Sequence, residues 1–332
     1  MDCPYSARFL LGGTTTGGLA MSQVTGAEYT ANRRPFHMPV MLEEVVDLFR
    51  CIAGGVLVDA TYGGGGHSTA LLETLPGDVR VVGIDRDPDA ISRAAGHARL
   101  DLAVGNFTDL EAILRMRGIG EISGVLFDLG VSSHQLDEPL RGFSYRNDGP
   151  LDMRMGPDAS AAASELVNRA GVSDLARVIR TLGEERFAHR VSKAIERARP
   201  ITSTGHLSRV VKEAIPAATR RSGGHPARRT FQALRMAVNG EMEALSSGLD
   251  QGIRLLRPGG RCVVISYHSL EDRLVKHRFR HGEGRSPGPT LPVPPPVELV
   301  VLTRRPMRPR PDEVAGNPRS RSARLRAMEK AA

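Results

Sequence analysis

Four consecutive glycines, residues 63–66, follow a short run of branched apolar residues at 56–60. That run predicts a buried strand because glycines bound it on both sides. Ordering a glycine costs roughly 0.5–1 kcal/mol more than ordering an alanine, so four in a row indicate a tight bend or a close approach to a ligand. Residues 67–75 predict a helix with Ser68 or Thr69 as its N-cap. A strand, a glycine turn and a helix N-terminus are typical of a nucleotide-binding corner.

Asp85 supplies the second part of this corner. It ends another apolar run, residues 81–85, and lies 20 residues after Gly65. An acid at about this distance from a glycine turn accepts hydrogen bonds from ribose hydroxyls in adenosine-containing cofactors. The alternative is an ordinary βαβ turn with glycines for packing, which leaves Asp85 unexplained. The pattern therefore favours an adenosine-containing cofactor.

Polar and aromatic residues lie at the ends of three further runs that predict strands, at 101–107, 124–130 and 261–267. Ligands of open parallel sheets bind at the carboxyl ends of the strands. The residues expected there with the glycine turn and Asp85 are Asn106, Phe107, Asp128, Ser266, Tyr267, His268 and Ser269, and the loop after Asp128 adds Ser132 and Ser133. Phe107 is expected to pack on an adenine ring, and Asp128 begins a polar loop where a substrate would meet the cofactor. A capped loop before a helix would explain one acid or serine there, but not the whole set.

The elements that must position these residues alternate between strand and helix. This alternation predicts an α/β fold with a Rossmann-like, doubly wound parallel sheet. No strand is predicted between 139 and 229, where several amphipathic helices follow one another. We therefore expect a flexible leader at 1–35, a discontinuous catalytic domain at 36–138 and 230–327, and an inserted helical domain at 139–229. A proline- and glycine-rich loop at 282–296 precedes a further strand at 297–303.

Composition favours a globular protein with an anionic partner. Of the 332 residues, 40% are hydrophobic and 25% charged, and the formal net charge is +8. The three cysteines are far apart, so neither a disulfide framework nor a metal site is predicted. No apolar run reaches the ~18 residues of a membrane span, and we expect a cytoplasmic protein. The sequence carries no indication of the oligomeric state.

Arginines are concentrated in two parts of the chain and are predicted to hold nucleic-acid phosphates. Those in and around the inserted segment are Arg146, Arg154, Arg220, Arg221, Arg228 and Arg229. Those of the C-terminal part, where prolines suggest a shaped segment, are Arg304, Arg305, Arg308, Arg310, Arg319, Arg321, Arg324 and Arg326.

Many segments resemble one family, the bacterial small-subunit ribosomal RNA methyltransferases that methylate the N4 amino group of a cytosine (the MraW or RsmH type). The resemblance runs from about residue 36 to 327 with its motifs in the expected order. It leaves the leader outside. The segments that carry it are 37–41, 59–68, 83–87, 128–133, 141–144, 151–155, 231–239, 258–260, 265–273 and 317–326.

The resemblance implies S-adenosylmethionine as methyl donor and an inserted helical domain that binds the substrate. It implies 16S ribosomal RNA, within the small ribosomal subunit, as partner. The positions that it marks for the cofactor are Gly65, Gly66, His67, Asp85, Phe107, Asp128 and Gln135. All except Gln135 also follow from the glycine turn and the strand ends.

A cytosine amino nitrogen is a poor nucleophile because its lone pair is delocalised into the ring. Catalysis then needs an unstacked base, alignment with the methyl–sulfur bond and an acceptor for an N–H. Asp128 is the first choice for orienting substrate or cofactor, and its role as proton acceptor is left open. The other candidates, each of which has a structural hydrogen-bonding role as its alternative, are Asp152, Ser132, Ser133 and His268.

Two other functions fit parts of the sequence. A nicotinamide-dependent dehydrogenase would use the same corner, but its G-x-G-x-x-G pattern fails because residue 68 is Ser. A non-catalytic RNA-binding or ribosome-assembly factor would keep the fold, and the intact cofactor corner argues against it. Methylation at cytosine C5 would need a nucleophilic cysteine, and neither Cys51 nor Cys262 is placed for attack.

Overall fold

The structure is a computed structural model that describes residues 39–220, 224–284 and 297–332. For Ser133 and Arg220 it describes the backbone alone. The predicted leader at 1–35, Arg221 and nearly all of the predicted loop at 282–296 lie outside the described residues.

Seven strands form one sheet. They are β1 (Gly55–Asp59), β2 (Val79–Asp85), β3 (Leu100–Val104), β4 (Ile122–Asp128), β5 (Leu256–Ser266), β6 (Leu299–Val301) and β7 (Arg324–Lys330). Their order is β3-β2-β1-β4-β5-β7-β6. The first five run parallel, and β7 is antiparallel to both β5 and β6. The α/β fold is confirmed, with a mixed rather than wholly parallel sheet.

Fourteen α-helices lie in the described residues, and the longer ones cover the sheet or form a separate layer. Those before the helical segment are α1 (Leu42–Phe49), α2 (Gly66–Thr74), α3 (Pro88–Ser92), α4 (Leu110–Arg115) and α5 (Ser133–Asp137). The helical segment contains α6 (Ala163–Arg169), α7 (Val172–Gly183), α8 (Ala188–Arg197), α9 (Thr204–Ala214) and α10 (Ala217–Arg220). The remainder are α11 (Arg228–Asn239), α12 (Glu241–Leu255), α13 (Ser269–Gly282) and α14 (Pro311–Gly316). Among the described helices, none combines the length and apolar character that crossing a bilayer requires.

Both faces of the sheet are buried, as a doubly wound fold requires. Successive strand residues point to opposite faces. Accordingly Leu57 packs with α1 and α2, whereas its neighbour Val58 packs with α4, α12 and α13. The sheet therefore holds the carboxyl ends of its parallel strands rigidly between two helical layers.

The helical segment has its own core. The apolar stripes predicted from the sequence supply it, including Leu175 and Ile179 of α7, Val191 of α8 and Leu207 of α9. Residues of α11 such as Phe231 join the same core. The predicted boundary between residues 229 and 230 falls inside α11, and the division into domains stays a prediction.

Strand β7 was missed because its sequence reads as part of an arginine-rich tail. In the structure Leu325 and Ala327 are fully buried on one face of the sheet and Met328 on the other. Arg326 is also buried, where its guanidinium donates to Asp272 Oδ1 at 2.6 Å. The charged side chains had hidden the alternation of the strand.

Candidate active site

A cavity of about 1610 Å³ opens at the carboxyl ends of β1, β2, β4 and β5. The predicted site residues that line it are Gly66, His67, Asp85, Phe107, Asp128, Ser132, Gln135 and His268. Asp152 and Gly65 are not among the residues that line it. Most of the side chains predicted from the carboxyl ends of the strands therefore lie around one cavity.

The glycine turn is fastened to Asp85. Gly63 donates its N–H to Asp85 Oδ2 at 2.7 Å, and Asp87 donates its N–H to Oδ1 at 2.8 Å. Gly65 has a φ of 72°, and a Cβ there would collide with the ring of Tyr62. A glycine is therefore required both by the backbone and by the close contact.

The helix cap predicted in this corner is wrong. Helix α2 begins at Gly66, and its N-cap is Gly65 in the left-handed conformation without a side-chain hydrogen bond. The Ser68 hydroxyl instead donates to Asp59 Oδ2 at 2.7 Å inside the protein. Asp59 is 1% exposed, and a buried carboxylate without a hydrogen-bond donor is costly, so the Ser68 hydroxyl pairs with Asp59 and does not cap the helix.

Burial raises the pKa of Asp85 to about 6. Each carboxylate oxygen accepts one backbone N–H, which leaves each a further lone pair. Phe107 lines the same cavity and meets Phe127 edge to face at 5.6 Å between ring centroids. These residues fit S-adenosylmethionine, since an acceptor for ribose hydroxyls and an apolar ring for adenine line the same cavity as Asp128.

Two hydrogen bonds hold Asp128 at the end of β4, and His67 lies beside it. Tyr267 Oη donates to its Oδ1 at 2.8 Å, and His67 Nδ1 lies 3.7 Å from its Oδ2. Its backbone N–H donates to Thr61 Oγ1 at 2.6 Å. Burial raises its pKa to about 6, although 23% of its side chain is exposed. Oδ2 is thus the less occupied oxygen of a carboxylate that opens into the cavity.

His67 connects this acid to the segment before α1. Its Nε2 lies 3.0 Å from the carbonyl oxygen of Val40, and the ring is 6% exposed. A carbonyl only accepts, so Nε2 is the donor. His67 therefore fixes one wall of the cavity as well as lining it.

Ser132 and Gln135 start helix α5 through a reciprocal capping box. Gln135 N donates to Ser132 Oγ at 3.2 Å, and Ser132 N donates to Gln135 Oε1 at 3.1 Å. The Gln135 amide also donates to Asp87 Oδ2 at 2.9 Å, and Arg141 Nη1 donates to the same oxygen at 2.8 Å. Sequence reasoning placed Asp87 only as a helix cap and gave Arg141 no role. The signal for these two residues in the sequence was their position, Asp87 just after a strand and Arg141 just after a turn.

Asp152 and His268, the remaining candidates with described side chains, have other partners. Arg154 binds both oxygens of Asp152, at 2.9 and 2.7 Å, and these hydrogen bonds lower the pKa of Asp152. His268 is the N-cap of α13, and its Nε2 lies 3.1 Å from Glu271 Oε1. Ser133 is the first residue of α5. The structure thus separates Asp152 from the cavity and keeps His268 at its wall.

One group among the described residues has the donor set of a metal site, namely Glu241, His268 and Glu271, with ligand atoms within 4.8 Å of one another. Arg235 donates to both Glu241 oxygens at 2.8 Å each. Glu271 Oε2 accepts the N–H of Tyr267 at 2.8 Å. Arg235 thus forms an ion pair with Glu241, while Glu271 accepts a backbone hydrogen bond and lies beside His268, so the acids of this group already have partners within the protein.

The predicted phosphate-binding arginines fall into different environments. Arg228 and Arg229 line the cavity and are exposed, and Arg146 is exposed beside the ring of Tyr145. Four of the eight C-terminal arginines that were expected to act together are ion-paired, and Arg308, Arg319 and Arg324 line the cavity. These pairs are Arg310 with Glu43, Arg319 with Asp137, and Arg324 and Arg326 with Asp272.

The fold and the cavity define a Rossmann-like methyltransferase with a cofactor corner at β1 and β2 and an acid at the end of β4. Comparison with known proteins agrees with this class. A profile of the MraW methylase family matches residues 34–331. The chain therefore belongs to the MraW methylase family, and it is a methyltransferase that uses S-adenosylmethionine.

Similar proteins come from several bacteria and carry the name Ribosomal RNA small subunit methyltransferase H. The protein of Acidothermus cellulolyticus is 49% identical over 308 residues, which cover 89% of this chain and 93% of the relative. That of Symbiobacterium thermophilum is 48% identical over 309 residues, with 89% and 96% covered. That of Heliobacterium modesticaldum is 46% identical over 311 residues, with 89% and 98% covered.

Proposed function

We propose that this protein transfers a methyl group from S-adenosylmethionine to the N4 amino group of a cytosine in 16S ribosomal RNA. Family membership and the names of the relatives support the reaction and the RNA class. The observation that carries the chemistry is the Asp128 carboxylate, which lines the cavity and has only His67, at 3.7 Å, beside its Oδ2.

Each residue of the cofactor corner has a proposed role. Asp85 accepts the ribose hydroxyls, Phe107 packs on the adenine, and the loop through Gly65 and Gly66 lies against the methionine part. His67 holds this side of the cavity through Val40. When bound, S-adenosylmethionine supplies an electrophilic methyl group, and the protein has to align an amino nitrogen with it.

Asp128 is the acceptor for that amino nitrogen. One N–H of the cytosine amino group donates to Oδ2, which orients the nitrogen lone pair and takes the proton that methylation releases. Tyr267 stabilises the ionised carboxylate through Oδ1 at 2.8 Å. With a pKa raised to about 6, Asp128 is ionised near neutral pH yet is a stronger base than an ordinary aspartate.

The other candidates support the site from outside the reacting atoms. Ser132 and Gln135 position the loop after β4, with Ser133 as the first residue of α5. His268 positions Tyr267 through the start of α13. Asp152 fixes Arg154 beside the loop that follows Arg141.

Amino methylation is favoured over methylation at cytosine C5. The latter needs a thiolate that attacks the ring. Cys262 is fully buried in β5, and burial raises the pKa of its thiol. Cys51 lies beyond α1, outside the residues that line the cavity.

The substrate form that we propose is RNA within the small ribosomal subunit, with Arg228 and Arg229 beside the cavity binding its phosphates. A ribosomal RNA substrate also supports the cytoplasmic location that the sequence analysis expects, and we propose that location.

Methyl transfer from labelled S-adenosylmethionine tests the proposal. Small subunits, naked 16S RNA and large subunits are supplied in parallel, and the modified base is mapped. We expect label on one cytosine of the small subunit, and loss of that mark in a deletion strain with return on complementation. Tight NAD binding without S-adenosylmethionine binding, or RNA binding without transfer, would each refute the assignment.

A further inference from the structure

Helix α8 has one buried face and one basic face. Val191 and Ile195 are fully buried in the helical core. The cations on the opposite, exposed face are Arg190, Lys193 and Arg197, which we call the α8 row. Their spacing of three and four residues places them side by side on one helix surface.

Among the described residues, no member of the α8 row forms an ion pair with an acid, although the exposed Glu196 lies three residues after Lys193. Arg115 pairs with Glu111 at 2.8 Å, and Arg169 pairs with Glu165 at 3.4 Å, each one turn earlier in its own helix. Like charges three or four residues apart repel each other. An anion bound along the row would relieve this repulsion.

The row forms the edge of a groove between α8 and α9 with a volume of about 760 Å³. Phe187, Ala194 and Val210 contribute apolar surface. The Arg186 guanidinium lies 4.6 Å from the centroid of the Phe187 ring and donates to Thr219 Oγ1 at 2.9 Å. Among the described residues that line the groove, Glu213 is the one carboxylate, against several cations. The groove therefore has the charge of an anion-binding surface.

The groove is separate from the catalytic cavity but lies near it along the chain. The two share none of their described lining residues. Glu184 lines the catalytic cavity, and Arg186, two residues later, lines the groove. Residues 184 and 186 therefore connect the two surfaces along the chain, as expected if one extended polyanion contacts both.

We propose that the α8 row binds phosphates of the substrate RNA at a distance from the nucleotide that is methylated. This inference rests on the proposed function, because it assigns part of the same RNA to a second surface. The row sets the affinity for RNA through ionic contacts, whereas Asp128 and the cofactor corner set the rate of the chemistry.

The test removes the three charges together, in the variant Arg190→Gln/Lys193→Gln/Arg197→Gln. We expect KM for small subunits to rise about 10- to 100-fold at moderate salt, with kcat at saturating RNA and Kd for S-adenosylmethionine unchanged. The slope of log affinity against log salt should become shallower by about 2 to 3, since each phosphate contact contributes about 0.7 to 0.9.

A matched variant separates this site from the net charge of the protein. Arg80→Gln/Arg115→Gln/Arg280→Gln removes three exposed cations that line neither cavity. The α8 site is refuted if the α8 variant keeps the wild-type KM and salt slope, or if the control variant shifts both equally. Failure of the wild-type protein to methylate any RNA would instead refute the proposed function. Thermal unfolding of both variants is measured to check that each is folded.

Discussion

Asp85 and Asp128 end the two strands that flank β1, and burial raises the pKa of each to about 6. They differ in what their oxygens accept. Both oxygens of Asp85 accept backbone N–H groups, at 2.7 and 2.8 Å. Asp128 accepts a hydroxyl on Oδ1 at 2.8 Å, while its Oδ2 has only His67 at 3.7 Å.

The comparison separates two uses of a buried carboxylate. Asp85 holds the glycine turn and is fixed by it, so that its remaining lone pairs have set directions for a ligand that must always bind in the same way. Asp128 keeps one oxygen largely free for a proton. The strand-end position is shared, and we propose that the number of protein donors decides whether the acid binds the cofactor or accepts the proton.

Asp128→Asn gives the largest expected effect. The amide retains the shape and can still accept from Tyr267, but it cannot take a proton. We expect kcat to fall about 10²- to 10⁴-fold, with Kd for S-adenosylmethionine within about 3-fold of wild type. Single-turnover methyl transfer and calorimetry measure the two quantities. Unchanged turnover would remove Asp128 as the acceptor.

Asp85→Asn should show the reverse pattern. Loss of a charged acceptor for ribose hydroxyls weakens cofactor binding by about 10- to 100-fold, whereas kcat at saturating cofactor changes little. Calorimetry with S-adenosylmethionine gives the affinity, and thermal unfolding reports any loosening of the glycine turn. If this variant lost as much turnover as Asp128→Asn at saturation, the two acids would not have separate roles.

Turnover should depend on acid pH through Asp128. The ionised form is the active one, so kcat is retained above a pKa of about 6 and is lost as pH falls through it. At saturating cofactor we expect about a tenfold loss for each further pH unit below that point. The loss of kcat at acid pH should persist in Asp85→Asn. If it disappeared in that variant, it would arise from Asp85 and not from Asp128.

Tyr267→Phe gives the smallest expected effect. The hydroxyl donates to the ionised carboxylate, so its removal raises the pKa of Asp128. We expect the acid limb of kcat to move upward by about 0.5 to 1 pH unit, with less than about a tenfold loss of turnover on the alkaline side. A lower rate without any shift of the limb would mean that Tyr267 acts on shape alone.

The sequence predicted the residues that follow from local rules. Strand ends placed Asp85, Phe107 and Asp128 together because parallel strands present their carboxyl ends at one edge. The partner of Asp128 was not predicted as such, since Tyr267 is 139 residues away and reaches it only through the pairing of β4 with β5.

Two further differences have the same physical origin. The cap assigned to Ser68 was wrong because a buried acid, Asp59, competes for its hydroxyl. The basic face of α8 was not predicted as a binding surface, because the sequence indicates this helix through its apolar stripe. Whether an arginine is paired depends on tertiary neighbours, as Arg326 shows.

The place of β7 in the sheet has a consequence for how the protein is made. Residues 324–330 are synthesised after β6, yet they lie between β5 and β6. Until they insert, β5 lacks its neighbour on that side, and an unpaired strand edge readily joins other chains. Tyr267 follows β5 directly, so the insertion of β7 completes the pairing of the strand that carries this residue of the candidate site.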